Sequence, residues 1–121
     1  MTEDCITLIF LINRGIEMIR FDKLVRDKIP DIMRSEGEKC TTKIIGEEEF
    51  IKRLDGKLYE EITEYYESKD VEELIDIMEV IYAIAKAKGY SATALDKLRK
   101  EKCNNKGSFN RRVVLLEVDD K

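Results

Sequence analysis

Two acid-rich helical stretches set end to end are the feature that most constrains this chain. Residues 57–85 read KLYEEITEYYESKDVEELIDIMEVIYAIA. Apolar side chains recur at steps of three and four on both sides of Ser-Lys-Asp, the spacing of two antiparallel helices joined by a tight turn at residues 68–71. Each helix carries a carboxylate pair three residues apart, Glu61 with Glu64 and Glu73 with Asp76. That spacing stacks both members of a pair on one face, a turn apart. Two such pairs on facing helices converge on one point.

Charge makes the convergence chemically pointed. From residue 57 to 79 there are nine acids against Lys57 and Lys69, a local balance of −7 in a chain whose total is −4. Like charges at helical spacing cost roughly 0.2–0.5 kcal/mol per pair, and facing them across a seam adds to the repulsion. A hard cation removes it. Mg2+, with Mn2+ as the alternative, takes oxygen ligands, uses few protein carboxylates and keeps positions for water and phosphate. The competing reading is a solvated acidic face.

The apolar stripes favour an inward site. On the first helix Phe50, Leu54, Leu58, Ile62 and Tyr65 form the stripe, with Glu61 and Glu64 beside it. On the second, Leu74, Ile77, Met78, Ile81, Ile84 and Ala85 form it, with Glu73 and Asp76 along one edge and Glu79 continuing that ridge. Carboxylates projecting inward from neighbouring helices are how bundles build metal sites.

The composition excludes several chemistries. No histidine is present, which removes a histidine-ligated zinc, a Ser-His-Asp triad and a histidine base together. Cys5, Cys40 and Cys103 are odd in number and scattered, which points to a reducing cytoplasm rather than a disulfide framework. A pI near 5.1 argues against nucleic acid as partner. At 121 residues the chain is one domain, small for a deep cleft within a single subunit, so self-association is expected.

In chain order, residues 5–12, CITLIFLI, are too few to span a bilayer and follow Thr-Glu-Asp rather than a basic start. They read either as a short buried strand or, with Met18 as an alternative start, as part of an extension over residues 1–17 that leaves residues 18–121 as the domain. Lys23, Arg26 and Lys28 form a basic cluster in FDKLVRDKIP, and Pro30 opens a short helix running toward Ser35, with Gly37 at its end. The long helix starts near Glu47, its acidic first turn suiting the dipole. Gly56 inside it costs about 1 kcal/mol relative to alanine, which a close helix contact would explain. Lys88-Gly89 stops the second helix, Ser91 caps a third through about Lys102, and residues 104–108 read as a polar loop. Residues 111–118, RRVVLLEV, read as a strand pairing with residues 39–45. The fold class is therefore mainly α, a helical bundle completed by self-association, with a small β element.

Four segments together resemble a known family. KLVRDKIP at 23–30, KLYEEITE at 57–64, EELIDIMEVIYAIAKAKG at 72–89 and KGSF at 106–109 are similar to the phosphoribosyl-ATP pyrophosphohydrolase-like proteins. These belong to the all-α nucleoside triphosphate pyrophosphohydrolases, with MazG and the dimeric dUTPases. The resemblance implies magnesium-dependent cleavage of a nucleoside triphosphate to monophosphate and pyrophosphate, in a cytoplasmic homodimer or dimer of dimers with no membrane or nucleic-acid partner. It implies Glu61, Glu64, Glu73 and Asp76 as metal ligands and Glu60 as a supporting acid. The closing motif departs from the family, with Lys106 and Ser108 where arginine and glycine are expected.

Without histidine, the general base falls to a carboxylate, Glu61 or Glu60, or to a water activated by the metal. Lys23, Arg26, Lys57, Lys102 and Lys106 are the basic groups available to the triphosphate. Tyr59, Tyr66, Tyr82 and Phe109 are available either to stack on a base or to pack at an interface. Two alternatives stand beside this reading: the phosphoribosyl-ATP pyrophosphohydrolase of histidine biosynthesis, and a non-enzymatic helical interaction module.

Overall fold

The computed structural model describes residues 20–120. The readings of residues 5–12 as a strand and of 1–17 as an extension lie outside them. Four helices make up the described chain: α1 (Ile29–Ser35), α2 (Glu47–Ser68), α3 (Val71–Ala87) and α4 (Ala92–Lys106).

Each boundary has a local cause. Pro30 sits in the first turn of α1, where its missing N–H is not needed. Three glutamates occupy the first turn of α2, at the positive end of its dipole. At the other end Lys69 turns left-handed, with φ 60°, and donates its N–H to the Tyr65 carbonyl. Its ammonium sits 4.7 Å from the Tyr66 ring centre and 5.3 Å from that of Tyr65, a cation–π contact that steadies the sharp reversal into α3. Gly89, at φ 93°, ends α3. The Ser91 hydroxyl then accepts from the Ala94 N–H and caps α4. That helix runs a turn further than the sequence suggests. Asn104 and Asn105 lie inside its last turn, and Gly107, at φ 88°, terminates it.

Helices α2 and α3 form the antiparallel pair at the centre, and α4 leans on α3. The apolar core is small. Among the described residues, Leu54, Val80 and Ala85 are its buried hydrophobic members. The face that α3 turns to α2 differs from the stripe read from periodicity. Glu73 and Val80 are buried and Asp76, Ile77 and Ile84 half-buried, whereas Leu74, Met78 and Ile81 remain 42%, 51% and 41% exposed. Helix α3 is apolar on two sides, so spacing alone could not choose which side faces its neighbour.

Two other expectations are corrected. No strand forms at 39–45 or 111–118, because among the described residues neither segment pairs its backbone with another extended segment, and an unpaired extended segment is not a strand. Nor does a close contact explain Gly56, since a Cβ placed there meets nothing within 4 Å. Gly56→Ala should therefore stabilise the chain by about 1 kcal/mol, a rise of several degrees in thermal midpoint by calorimetry. A fall would show that something in the assembled protein presses on this turn.

No helix among the described residues is long and apolar enough to cross a membrane. Cys40 and Cys103 are free.

Candidate metal centre

The acid pairs meet in the α2–α3 seam. Glu61, at 1% exposure, and Glu73, at 7%, are the buried charged residues of the described chain, and Glu64 is half-buried beside them. One carboxylate oxygen from each of Glu61, Glu64 and Glu73 lies within 4.8 Å of the other two. Helical geometry produces this. Glu61 and Glu64 rise one turn apart on α2, and the two-residue reversal at Lys69-Asp70 brings Glu73, in the first turn of α3, back beside them.

Three carboxyl groups this close in a dry seam do not all stay ionised. Burial, a hydrogen bond with Glu61 and the charges of Glu61, Glu73 and Glu60 push the Glu64 carboxyl up to about 7. Burial raises Glu73, helped by Asp76 and Glu61, with the hydrogen bond from Glu64 acting the other way. At neutral pH Glu64 therefore carries a proton about half the time.

The fourth expected ligand, Asp76, is also raised by burial and by Glu61, and Arg26 opposes the shift. The Arg26 guanidinium donates to Asp76 Oδ1 at 2.8 Å. The structure thus gathers three of the four carboxylates and holds the fourth in an ion pair at the edge.

The basic residues divide into two groups. Lys57 lies nearly buried with its ammonium 3.4 Å from Glu61 and 3.5 Å from Glu60, and Lys23 donates to Glu60 at 3.1 Å. Glu60 is thereby held between two lysines at the rim. Lys23 and Arg26 arrive on the non-helical segment 20–28, a strap tied to the seam by their contacts with Glu60 and Asp76. Lys102 and Lys106 lie exposed on α4, and no hydrogen bond or ion pair joins them to the acids among the described residues. Tyr59, Tyr66 and Phe109 are exposed.

One anchoring group escaped the sequence reading. Arg53 reaches Asp22 with two hydrogen bonds, to its carbonyl at 2.9 Å and its carboxylate at 3.1 Å, and pairs with Glu49 at 2.8 Å. It fixes the strap to α2, with Asp22 in the left-handed region at φ 47°. The four-residue spacing of Glu49 and Arg53 was the available signal.

The donor set suits a small hard cation. All candidate ligands are carboxylate oxygens, and the buried Glu73 Oε2 has no hydrogen-bond partner among the described residues, leaving an acceptor directed into the seam. No family description, curated protein or solved structure matches the chain.

Proposed function

We propose that the chain is a magnesium-dependent nucleoside triphosphate pyrophosphohydrolase, releasing monophosphate and pyrophosphate. The observation that carries this reading is the Glu61, Glu64 and Glu73 trio, two of its members buried, with a basic strap at its mouth. Carboxylates alone fit many cations. Carboxylates with guanidinium and ammonium groups a few ångströms away fit a cation bridging to an anionic, phosphate-rich substrate.

Glu61, Glu64 and Glu73 would hold the ion, with Asp76 joining on release from Arg26. When bound, Mg2+ neutralises phosphoryl oxygens and lowers the pKa of a coordinated water. The chain's residues supply the rest. Arg26 presents a fork matched to phosphate oxygens, and Lys23 and Lys57 present point charges. Glu60, at the solvent side, is placed to accept a proton from the attacking water, with Glu61 the alternative. Phosphoryl transfer asks mainly for such positioning and charge neutralisation. The four-helix arrangement implied for the family would be completed by a second copy.

A second reading is favoured by the exposed apolar side of α3: a non-enzymatic module whose acids form part of a docking face. One assay separates the two. Canonical and modified nucleoside triphosphates, incubated with Mg2+ or with chelator, should give metal-dependent pyrophosphate from at least one. No release from any of them, with the protein folded, would favour the module.

A further inference from the structure

Beyond the seam, two apolar surfaces are exposed among the described residues, and they match each other. The first is the outer side of α3, where Val71, Leu74, Ile75, Met78 and Ile81 are all exposed and recur at steps of three and four in one stripe. At 1.5 Å per residue that stripe is about 15 Å long. The second is the segment after α4. Every residue from 107 to 120 is exposed, and Val113, Val114, Leu115, Leu116 and Val118 lie between 71% and 86% exposed. At 3.3 Å per residue the apolar span 113–118 is about 17 Å when extended.

The charges run in opposite order along the two. The arm begins with Arg111 and Arg112 and ends with Glu117, Asp119 and Asp120. Along one edge of the α3 stripe, Glu72 and Glu79 come first and Lys86 follows, all exposed. Laid parallel to α3 with Val113 beside Val71, the arm sets its arginines beside Glu72 and its last acids beside Lys86, two opposite-charge pairings against one like-charge approach, Glu117 to Glu79. Laid antiparallel, it sets like charges together. Apolar residues also stand on both sides of the extended arm, Val113 and Leu115 on one, Val114, Leu116 and Val118 on the other. Such a segment needs cover on two sides, as at a subunit boundary.

Among the described residues, the arm stays exposed along its whole length and the stripe remains open. We infer that two copies exchange C-terminal arms about a two-fold axis, residues 113–118 of each lying parallel to α3 of the other on Val71, Leu74, Ile75, Met78 and Ile81. A two-fold arrangement satisfies both surfaces of both chains with one interface. This assembly stands independently of the reaction assigned to the seam.

The test uses the full chain. Light scattering after gel filtration should give twice the 14.1 kDa chain mass. The double variant Leu115→Asp with Leu116→Asp, and separately Met78→Asp, should each shift the protein to the chain mass with helical circular dichroism retained. A chain carrying Leu74→Cys mixed with one carrying Val114→Cys, the native cysteines replaced by serine in both, should oxidise to a disulfide-linked heterodimer. A monomeric wild-type protein overturns the inference. So does an assembly that survives the charged arm, or a cross-link at monomer mass when both cysteines are placed in one chain.

Discussion

Glu64→Gln is expected to lower magnesium-dependent turnover by about 100-fold or more, since a direct ligand counts for at least as much as the outer partners whose loss costs 10–100-fold. The same substitution should raise the thermal midpoint of the metal-free protein. Two unit charges about 5 Å apart repel by about 3 kcal/mol at an effective dielectric of 20. Protonation of Glu64 near neutrality already removes part of that, so the gain is on the order of 1 kcal/mol and is largest above the value of about 7 to which its carboxyl is pushed. Loss of activity with gain of stability separates a ligand from a structural acid. A structural acid, once removed, lowers both. Scanning calorimetry at pH 8 with chelator, beside a pyrophosphate assay, reads the two signs together.

The proton on the trio gives the second large effect, a reversal by metal of how stability depends on pH. Glu64 titrates at about 7 in the folded chain against an ordinary 4.5. The folded state therefore binds the proton more tightly. Its stabilisation is complete below about pH 4.5 and is lost as pH rises through about 7. Glu73 and Asp76 are raised as well and act in the same direction. Without metal the thermal midpoint should fall through that window. With saturating Mg2+ the ion takes the place of the proton, its affinity climbs with pH, and the fall should disappear or reverse. Calorimetric titrations in two buffers of different ionisation enthalpy should show proton release at pH 6 that vanishes by about pH 9. A midpoint that rises with pH in chelator would contradict the raised Glu64 carboxyl.

Much of this was legible because its signals are local. The three- and four-residue spacing set the helices, Ser-Lys-Asp set the reversal, Pro30 and Ser91 set helix starts, and the acid pairs follow from helical geometry once the turn is placed. What was not legible depended on choices the spacing leaves open. Helix α3 has apolar residues on two sides, and the acids Glu73 and Asp76 went inward while Leu74, Met78 and Ile81 stayed outward. Hydrophobic patterning ranks those choices in the opposite order. The run RRVVLLEV has the residues of a strand, but a strand requires a partner, and the segment finds none among the described residues. The strap was half legible. Its basic residues could be read from KLVRDKIP, whereas Arg53, thirty residues away, decides where the strap lies.

The burial of Glu61 and Glu73 bears on which account of the acids holds. A solvated acidic face has no reason to bury two carboxylates in a core whose hydrophobic members are so few. Removing a carboxylate from water costs several kcal/mol, of which the Lys57 ammonium, 3.4 Å from Glu61, offsets part. Such an arrangement is stable where a cation or a proton takes up the charge, and the raised Glu64 carboxyl is the proton's share of it.

Calorimetric titration of the whole chain with Mg2+ at pH 8, beside Glu73→Gln, tests the metal centre most directly. Glu73 is the choice because its buried Oε2 has no hydrogen-bond partner among the described residues, so its loss disturbs no bond made by that atom. The account predicts saturable binding to the wild-type chain, with affinity lowered by about 100-fold or more in Glu73→Gln while the variant melts no lower than the wild type in chelator. Equal affinities in the two proteins, or no saturable binding to the wild type, would contradict it.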